Sequence, residues 1–184
     1  MIKDILLVIW FFLPAGLANA IPIFAARIPP LKDWSYPLDA YITWDGKRIL
    51  GDHKTIRGLV SGIFVAILAV YLQIYVYEHS SLVRQFISLD YTSINPILFG
   101  LLLAIGALGG DALKSFFKRR INIAPGKSWF PFDHIDYILG GIILTAFYIH
   151  LSLWQYILLC VIWTFIHIVA TFVGYLLSLK DNPI

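Results

Sequence analysis

Residues 96–120 read PILFGLLLAIGALGGDALKSFFKRR. From Pro96 to Gly110 the run is apolar, and on its own it is short for a membrane crossing, which takes about 20 mostly apolar residues. It reaches that length if the helix continues into the charged stretch Asp111 to Arg119. On such a helix Asp111, Lys114, Ser115 and Lys118 fall at i, i+3, i+4 and i+7, one stripe of one face. This one stretch therefore predicts both a membrane helix and a charged site at its end.

Four or five segments of this kind are present. The first runs from Ile5 to Ala26, interrupted by Pro14, Asn19 and Pro22, and the second from Gly58 to Tyr77 without a charge. Pro96 begins the third. The fourth runs from about Ile135 to His150 and the fifth from Leu151 to Leu179. The junction around Ile149 to Trp154 has no Gly or Pro, and a single kinked span there would leave four helices. The apolar run at the N-terminus continues past Ala20 through Pro22, so we expect a retained first helix and not a cleaved signal peptide.

Composition agrees. Of 184 residues, 59% are hydrophobic and 14% charged, against about 45–50% apolar and 25% charged in soluble domains. The 13 Gly and 9 Pro suit transmembrane helices, where both are commoner. A net charge of +3 gives no argument for nucleic acid. The single cysteine, Cys160, lies in an apolar run, which excludes an internal disulfide and a cysteine metal site. The expectation is one integral-membrane domain over residues 1–184.

Charge placement orients it. Residues 27–57 carry Arg27, Lys32, Lys47, Arg48, Lys54 and Arg57, and residues 114–134 carry Lys114, Lys118, Arg119, Arg120 and Lys127. Residues 78–95 hold only Arg84, and the tail has Lys180. The positive-inside rule makes the two basic loops and the C-terminus cytoplasmic and the N-terminus external. That alternation needs an odd number of helices, so the fold expected is all-α with about five transmembrane helices. Trp34, Tyr36, Tyr41, Trp44, Trp129 and Phe130 in the basic loops suit headgroup-level anchoring.

Three elements carry chemistry. Around Asp111, a carboxylate holds a hard cation while Lys114 and Lys118 neutralise phosphate oxygens. The plainer role, topological anchoring, accounts for Lys118, Arg119 and Arg120 but not for an acid at the end of a span. Asp133 and Asp136, at i and i+3 where the fourth helix starts, either cap that helix or face one point as metal ligands. Gly51-Asp52-His53-Lys54-Thr55-Ile56-Arg57-Gly58 leads into the second helix with donors suited to phosphate, without the Walker spacing. Asn19, between Ala18 and Pro22, is either interhelical glue or a contact to the polar site. The five histidines, His53, His79, His134, His150 and His167, show no paired metal spacing.

The run Gly110-Asp111-x-x-Lys114-Ser115-x-x-Lys118-Arg119, followed by Asp133-x-x-Asp136, resembles the CTP:phosphatidate cytidylyltransferase superfamily. The small size, the 51–58 stretch and the Asn19/Pro22 first helix are similar to its archaeal branch, the CDP-archaeol synthases. Residues Ile121 to Phe132 lack the Lys-Asp pair and His-Gly-Gly element of the bacterial and eukaryotic members, and His134 stands where those carry Arg and the archaeal branch Gln, so no role is carried onto it. The resemblance implies transfer of a cytidylyl group from CTP to 2,3-bis-O-geranylgeranylglyceryl phosphate, with Mg²⁺ as cofactor. It implies metal binding by Asp111, Asp133 and Asp136, and phosphate contacts from Lys114, Ser115, Lys118 and Arg119. Gly51, Asp52, Lys54, Thr55 and Arg57 would help seat the nucleotide, with Asn19 as a further contact. The site is expected to face the cytoplasm, where CTP is, and to open sideways to the lipid. An ester-lipid CDP-diacylglycerol synthase would carry the same site. A transporter would spread its polar residues through the membrane depth, whereas the second helix offers only Ser61 and Gln73.

Overall fold

The computed structural model describes residues 1–124 and 127–179. Among the described residues, four helices are long and apolar enough to cross a membrane: α1 (Ile2–Ala25), α3 (Ile56–His79), α5 (Pro96–Arg120) and α7 (Leu153–Leu176). Between them lie α2 (Pro29–Lys32), α4 (Ser81–Phe86) and α6 (Phe132–Thr145). The protein is thus a polytopic helical membrane protein. The only strands among the described residues are the two-residue β1 (Thr43–Trp44) and β2 (Lys47–Arg48), a small antiparallel hairpin that departs from a purely helical expectation.

Local chemistry sets the boundaries. Asn95 opens α5 by accepting from the Ile97 and Leu98 amides at 3.1 and 3.0 Å, with Pro96 in the first turn. The helix then runs unbroken through Asp111 to three basic residues in its last turn, where cations favour the helix dipole. Thr55 caps α3 by accepting from the Gly58 amide at 3.1 Å. Ser152 and Gln155 form a reciprocal capping box that starts α7. That box separates α6 from α7, although the junction has no Gly or Pro. Thr145 ends α6 five residues before His150, the end expected from the apolar run.

The core lies between α1, α5, α6 and α7, with Phe11, Phe12, Phe99, Tyr137, Leu159 and Trp163 buried together. Hydrogen bonds to the α1 backbone lock two neighbours: Trp163 Nε1 donates to the Val8 carbonyl at 3.0 Å and Gln73 Nε2 to the Trp10 carbonyl at 2.5 Å. In a bilayer such polar contacts and close packing replace the hydrophobic drive.

The α5–α6 crossing matters most for the site. A Cβ at Gly106 would lie 2.5 Å from the Gly140 carbonyl oxygen, and one at Gly110 would fall on that of Asp136. Three glycines, Gly106, Gly110 and Gly140, therefore let the backbones touch where no larger residue would fit, while Gly141 makes room for the Phe12 ring of α1. The helices run antiparallel, which brings the first turns of α6 beside Asp111. At the other end the Asn95 amide donates to the Tyr148 hydroxyl at 2.9 Å. The turn after α6 thus reaches the level where α5 begins. Lys180, the tail residue used above for topology, lies outside the described residues.

Candidate active site

Helix α5 presents Asp111, Lys114, Ser115 and Lys118 along one face, and the glycine crossing sets Asp133 and Asp136 of α6 against it. The Lys114 ammonium is the focus. It lies 3.0 Å from Asp111 Oδ1, 2.8 Å from Asp133 Oδ1 and 2.7 Å from Asp136 Oδ2. Asp111 Oδ2 also accepts from the Lys54 ammonium, contributed by the loop before α3. Lys118 Nζ donates to Asp133 at 3.1 and 3.3 Å and to the Lys127 carbonyl, and the Trp129 amide donates to Asp133. Three lysines thus balance three aspartates, each largely shielded from solvent. Buried carboxylates need such partners, because an uncompensated charge there is expensive.

A cleft of about 190 Å³ opens beside this cluster. Residues 50–54 form one wall, and Lys114, Ser115, Lys118 and Arg119 form the other. Two stretches some 60 residues apart in the chain are therefore joined at one cavity whose walls are predominantly basic. Ser115 donates its hydroxyl to the Asp111 carbonyl at 2.9 Å, one turn back on its own helix.

The match to the CarS-like family, described as CDP-archaeol synthase, covers residues 1–184. The CDP-archaeol synthase of Methanospirillum hungatei is 39% identical over 180 residues, covering 93% of this chain and 99% of that protein. That of Methanosarcina mazei is 36% identical over 184 residues, with 93% and 99% covered. A solved structure of an intramembrane enzyme for archaeal membrane lipids biosynthesis aligns with a TM-score of 0.71 at 28% identity, over 90% of this chain and 93% of that one.

The chain belongs to the CarS-like CDP-archaeol synthase family. Membership makes it a membrane transferase of archaeal ether-lipid biosynthesis.

In this family member the other residues singled out from the sequence have mixed positions. Asp52 lies at the cleft mouth, paired with Arg48 at 2.7 Å. Gly51 lines the cleft with φ of +95° and open space around it, so backbone conformation, not crowding, requires glycine. The Thr55 hydroxyl is engaged as the α3 cap. Arg57 turns away and donates to the carbonyls of Leu31 and Lys32 at 3.0 and 2.9 Å, bracing the α2 turn. Asn19 is half-buried on α1, and no hydrogen bond among the described residues joins it to the cluster.

Three residues that the sequence reading did not place in the site hold the cleft's loop wall. Asp39, almost wholly buried, accepts from Arg48 Nη2 at 2.5 Å and from the Leu50 and Gly51 amides at 2.9 and 3.1 Å. Burial pushes its carboxyl up, but Arg48 and the two amides more than reverse this and hold it at about 2. Arg48 bridges Asp39 and Asp52, and Arg120 grips the hairpin from α5. The local pattern around Asp39 shows only its turn with Tyr41, because Arg48, Leu50 and Gly51 come from 9 to 12 positions away and meet it only when the hairpin closes.

Proposed function

We propose that the chain transfers the cytidylyl group of CTP to 2,3-bis-O-geranylgeranylglyceryl phosphate, forming CDP-archaeol and pyrophosphate. The observation that carries this reading is the convergence of Asp111, Asp133 and Asp136 on Lys114 at the edge of a basic cleft.

A lipid phosphate oxygen attacks the α-phosphorus of CTP, the α–β phosphoanhydride bond breaks, and pyrophosphate leaves with the bonding electrons. Both reactants are anions, so the protein's task is charge neutralisation and alignment. Lys54, Lys114, Lys118 and Arg119 supply the positive wall for the triphosphate and the lipid headgroup, with Ser115 beside them. The backbone of 50–54 closes over the opposite side. No general base is needed, because the lipid phosphate is already ionised near neutral pH.

The donor set fits Mg²⁺: three carboxylates with hard oxygens share one focus. Lys114 stands in for the cation at that focus, and among the described residues no carboxylate group is opened into a ready metal cage. Asp111, Asp133 and Asp136 would hold the ion, which when bound supplies charge neutralisation at the reacting phosphates.

The topology that suits this chemistry has five crossings, an external N-terminus, and the site and C-terminus on the cytoplasmic side. Most of the charged groups gather at one end of the bundle, which favours this reading over a transport path. The decisive experiment is pyrophosphate release from CTP by purified protein, with the ether-lipid phosphate, with its ester counterpart and with no lipid. Release only with the ether lipid supports the proposal, and preference for the ester lipid points to a CDP-diacylglycerol synthase. No release with either refutes the assignment.

A further inference from the structure

We propose that Asp39 and Arg120, neither of which lines the cleft, are positioning residues that hold the 50–54 wall at the geometry needed for nucleotide. The inference rests on the reading of the cleft as the nucleotide seat.

The argument starts with backbone conformation. Ala40, Tyr41 and Asp45 have φ of +46°, +63° and +54°, in the left-handed region that non-glycine residues avoid. Such residues persist only when their surroundings over-determine them, and they gather at functional sites. Asp39 and Arg120 are part of those surroundings. Asp39 accepts from the Tyr41 amide at 3.3 Å, so one carboxylate holds the strained turn, Arg48 and the first two residues of the cleft wall.

Arg120 works from the other side of the hairpin. Its guanidinium donates to the carbonyls of Trp44, Lys47 and Arg48, at 2.5, 3.2 and 2.9 Å. It also lies over the rings of Trp44 and Phe116, 5.6 and 5.4 Å from their centroids. Three carbonyls from one hairpin on one guanidinium exceed what a membrane-surface anchor requires.

Together these contacts close a circuit. It leaves α5 at Arg120, crosses the hairpin to Arg48 and Asp39, continues into Leu50 and Gly51, and returns to α5 through Lys54 on Asp111. The wall opposite Lys114 and Lys118 is thus tied at both ends to the helix that carries them. A loop fixed in this way holds Lys54 and the 52–53 backbone in place without first being ordered by the ligand.

The test uses the full chain in detergent with CTP, Mg²⁺ and the ether-lipid phosphate, and compares Asp39→Asn, Arg120→Met, Arg120→Lys and the double variant Asp39→Asn/Arg120→Met. Both single losses are expected to raise the KM for CTP about tenfold or more with kcat within about threefold, since only binding geometry is disturbed. Arg120→Lys, which can still donate to the carbonyls, should recover most of that loss. The double variant should be no worse than the weaker single, because both act on one segment. Trypsin cleavage at Lys47, Arg48 and Lys54 reads loop order without turnover and should quicken about tenfold in Asp39→Asn and Arg120→Met. Unchanged KM with unchanged cleavage overturns the proposal, as does a matched loss of kcat and melting temperature without a KM effect. An inert wild type whose loop still loosens in the variants would instead remove the nucleotide reading of the cleft.

Discussion

At the scale of single residues, the charge balance around Lys114 sets the expected behaviour. Asp111→Asn, Asp133→Asn and Asp136→Asn each remove one negative charge but keep the shape, and lysines still neutralise the remaining acids. Each variant should fold in detergent, yet lose Mg²⁺-dependent turnover by at least about 100-fold, as expected when charge stabilisation of a phosphoryl transfer is removed. Full activity in all three would dismiss them as metal ligands. Lys114→Met is different, because it leaves three shielded carboxylates facing one another. Losing the shared partner should cost on the order of 3 kcal/mol, read as a lower melting temperature that Mg²⁺ restores more in the variant than in the wild type. Asp39 gives a pH dependence. Its carboxyl is held at about 2, below the usual 3.8. A depressed carboxyl stabilises the folded loop above its unfolded value and loses that contribution as pH falls toward the folded one. Amide exchange at Leu50 and Gly51, corrected for intrinsic rate, should rise between pH 4 and pH 2 in the wild type and stay level in Asp39→Asn.

Helices and their crossings are where the sequence was most readable and where its limits show. Continuation of the third helix through Asp111 was legible because apolar length and the i, i+3, i+4, i+7 stripe agreed, and α5 extends to Arg120. The grouping of Asp111 with Asp133 and Asp136 in space was not visible in the periodicity of either helix. It comes from backbone contact at Gly106, Gly110 and Gly140, and a glycine pattern says that helices approach closely without saying which ones. The Ser152-x-x-Gln155 capping box was a readable signal that an apolar run obscured. The roles of Thr55 and Arg57 were hidden for another reason: a hydroxyl and a guanidinium suited to phosphate are equally suited to a helix cap and to backbone carbonyls. The crossing yields its own prediction. Gly110→Ala places a methyl on the Asp136 carbonyl and should cost about 1–3 kcal/mol through overpacking. Because it also parts Asp111 from Asp136, turnover should fall further than the melting temperature implies. Gly109→Ala, in open space on the same helix, is the matched control and should leave both nearly unchanged.

For the whole molecule the topology turns on whether α6 crosses the bilayer. Its 14 residues span roughly 21 Å at 1.5 Å per residue, less than the ~30 Å hydrocarbon core. Length alone therefore argues for four crossings. Two contacts argue for five. Gly110 meets Asp136 and Gly106 meets Gly140, so α6 runs back along α5 from the charged cluster. The Asn95 amide then meets the Tyr148 hydroxyl, so the turn after α6 reaches the start of α5. Between those points α6 and its turn cover the depth covered by the apolar part of α5. The deficit in helix length is made up at the end that carries the charged cluster, where Asp133, Asp136 and the basic cleft form a polar recess. With Cys160→Ala as background, single cysteines at Asp52, Arg84 and His150 should distinguish the topologies by labelling with an impermeant maleimide. Five crossings put position 52 on the cytoplasmic face and positions 84 and 150 on the outer face, so intact cells should label 84 and 150 and inverted vesicles 52. Labelling of 150 together with 52 would make α6 re-entrant and place the start of α7 on the inner side.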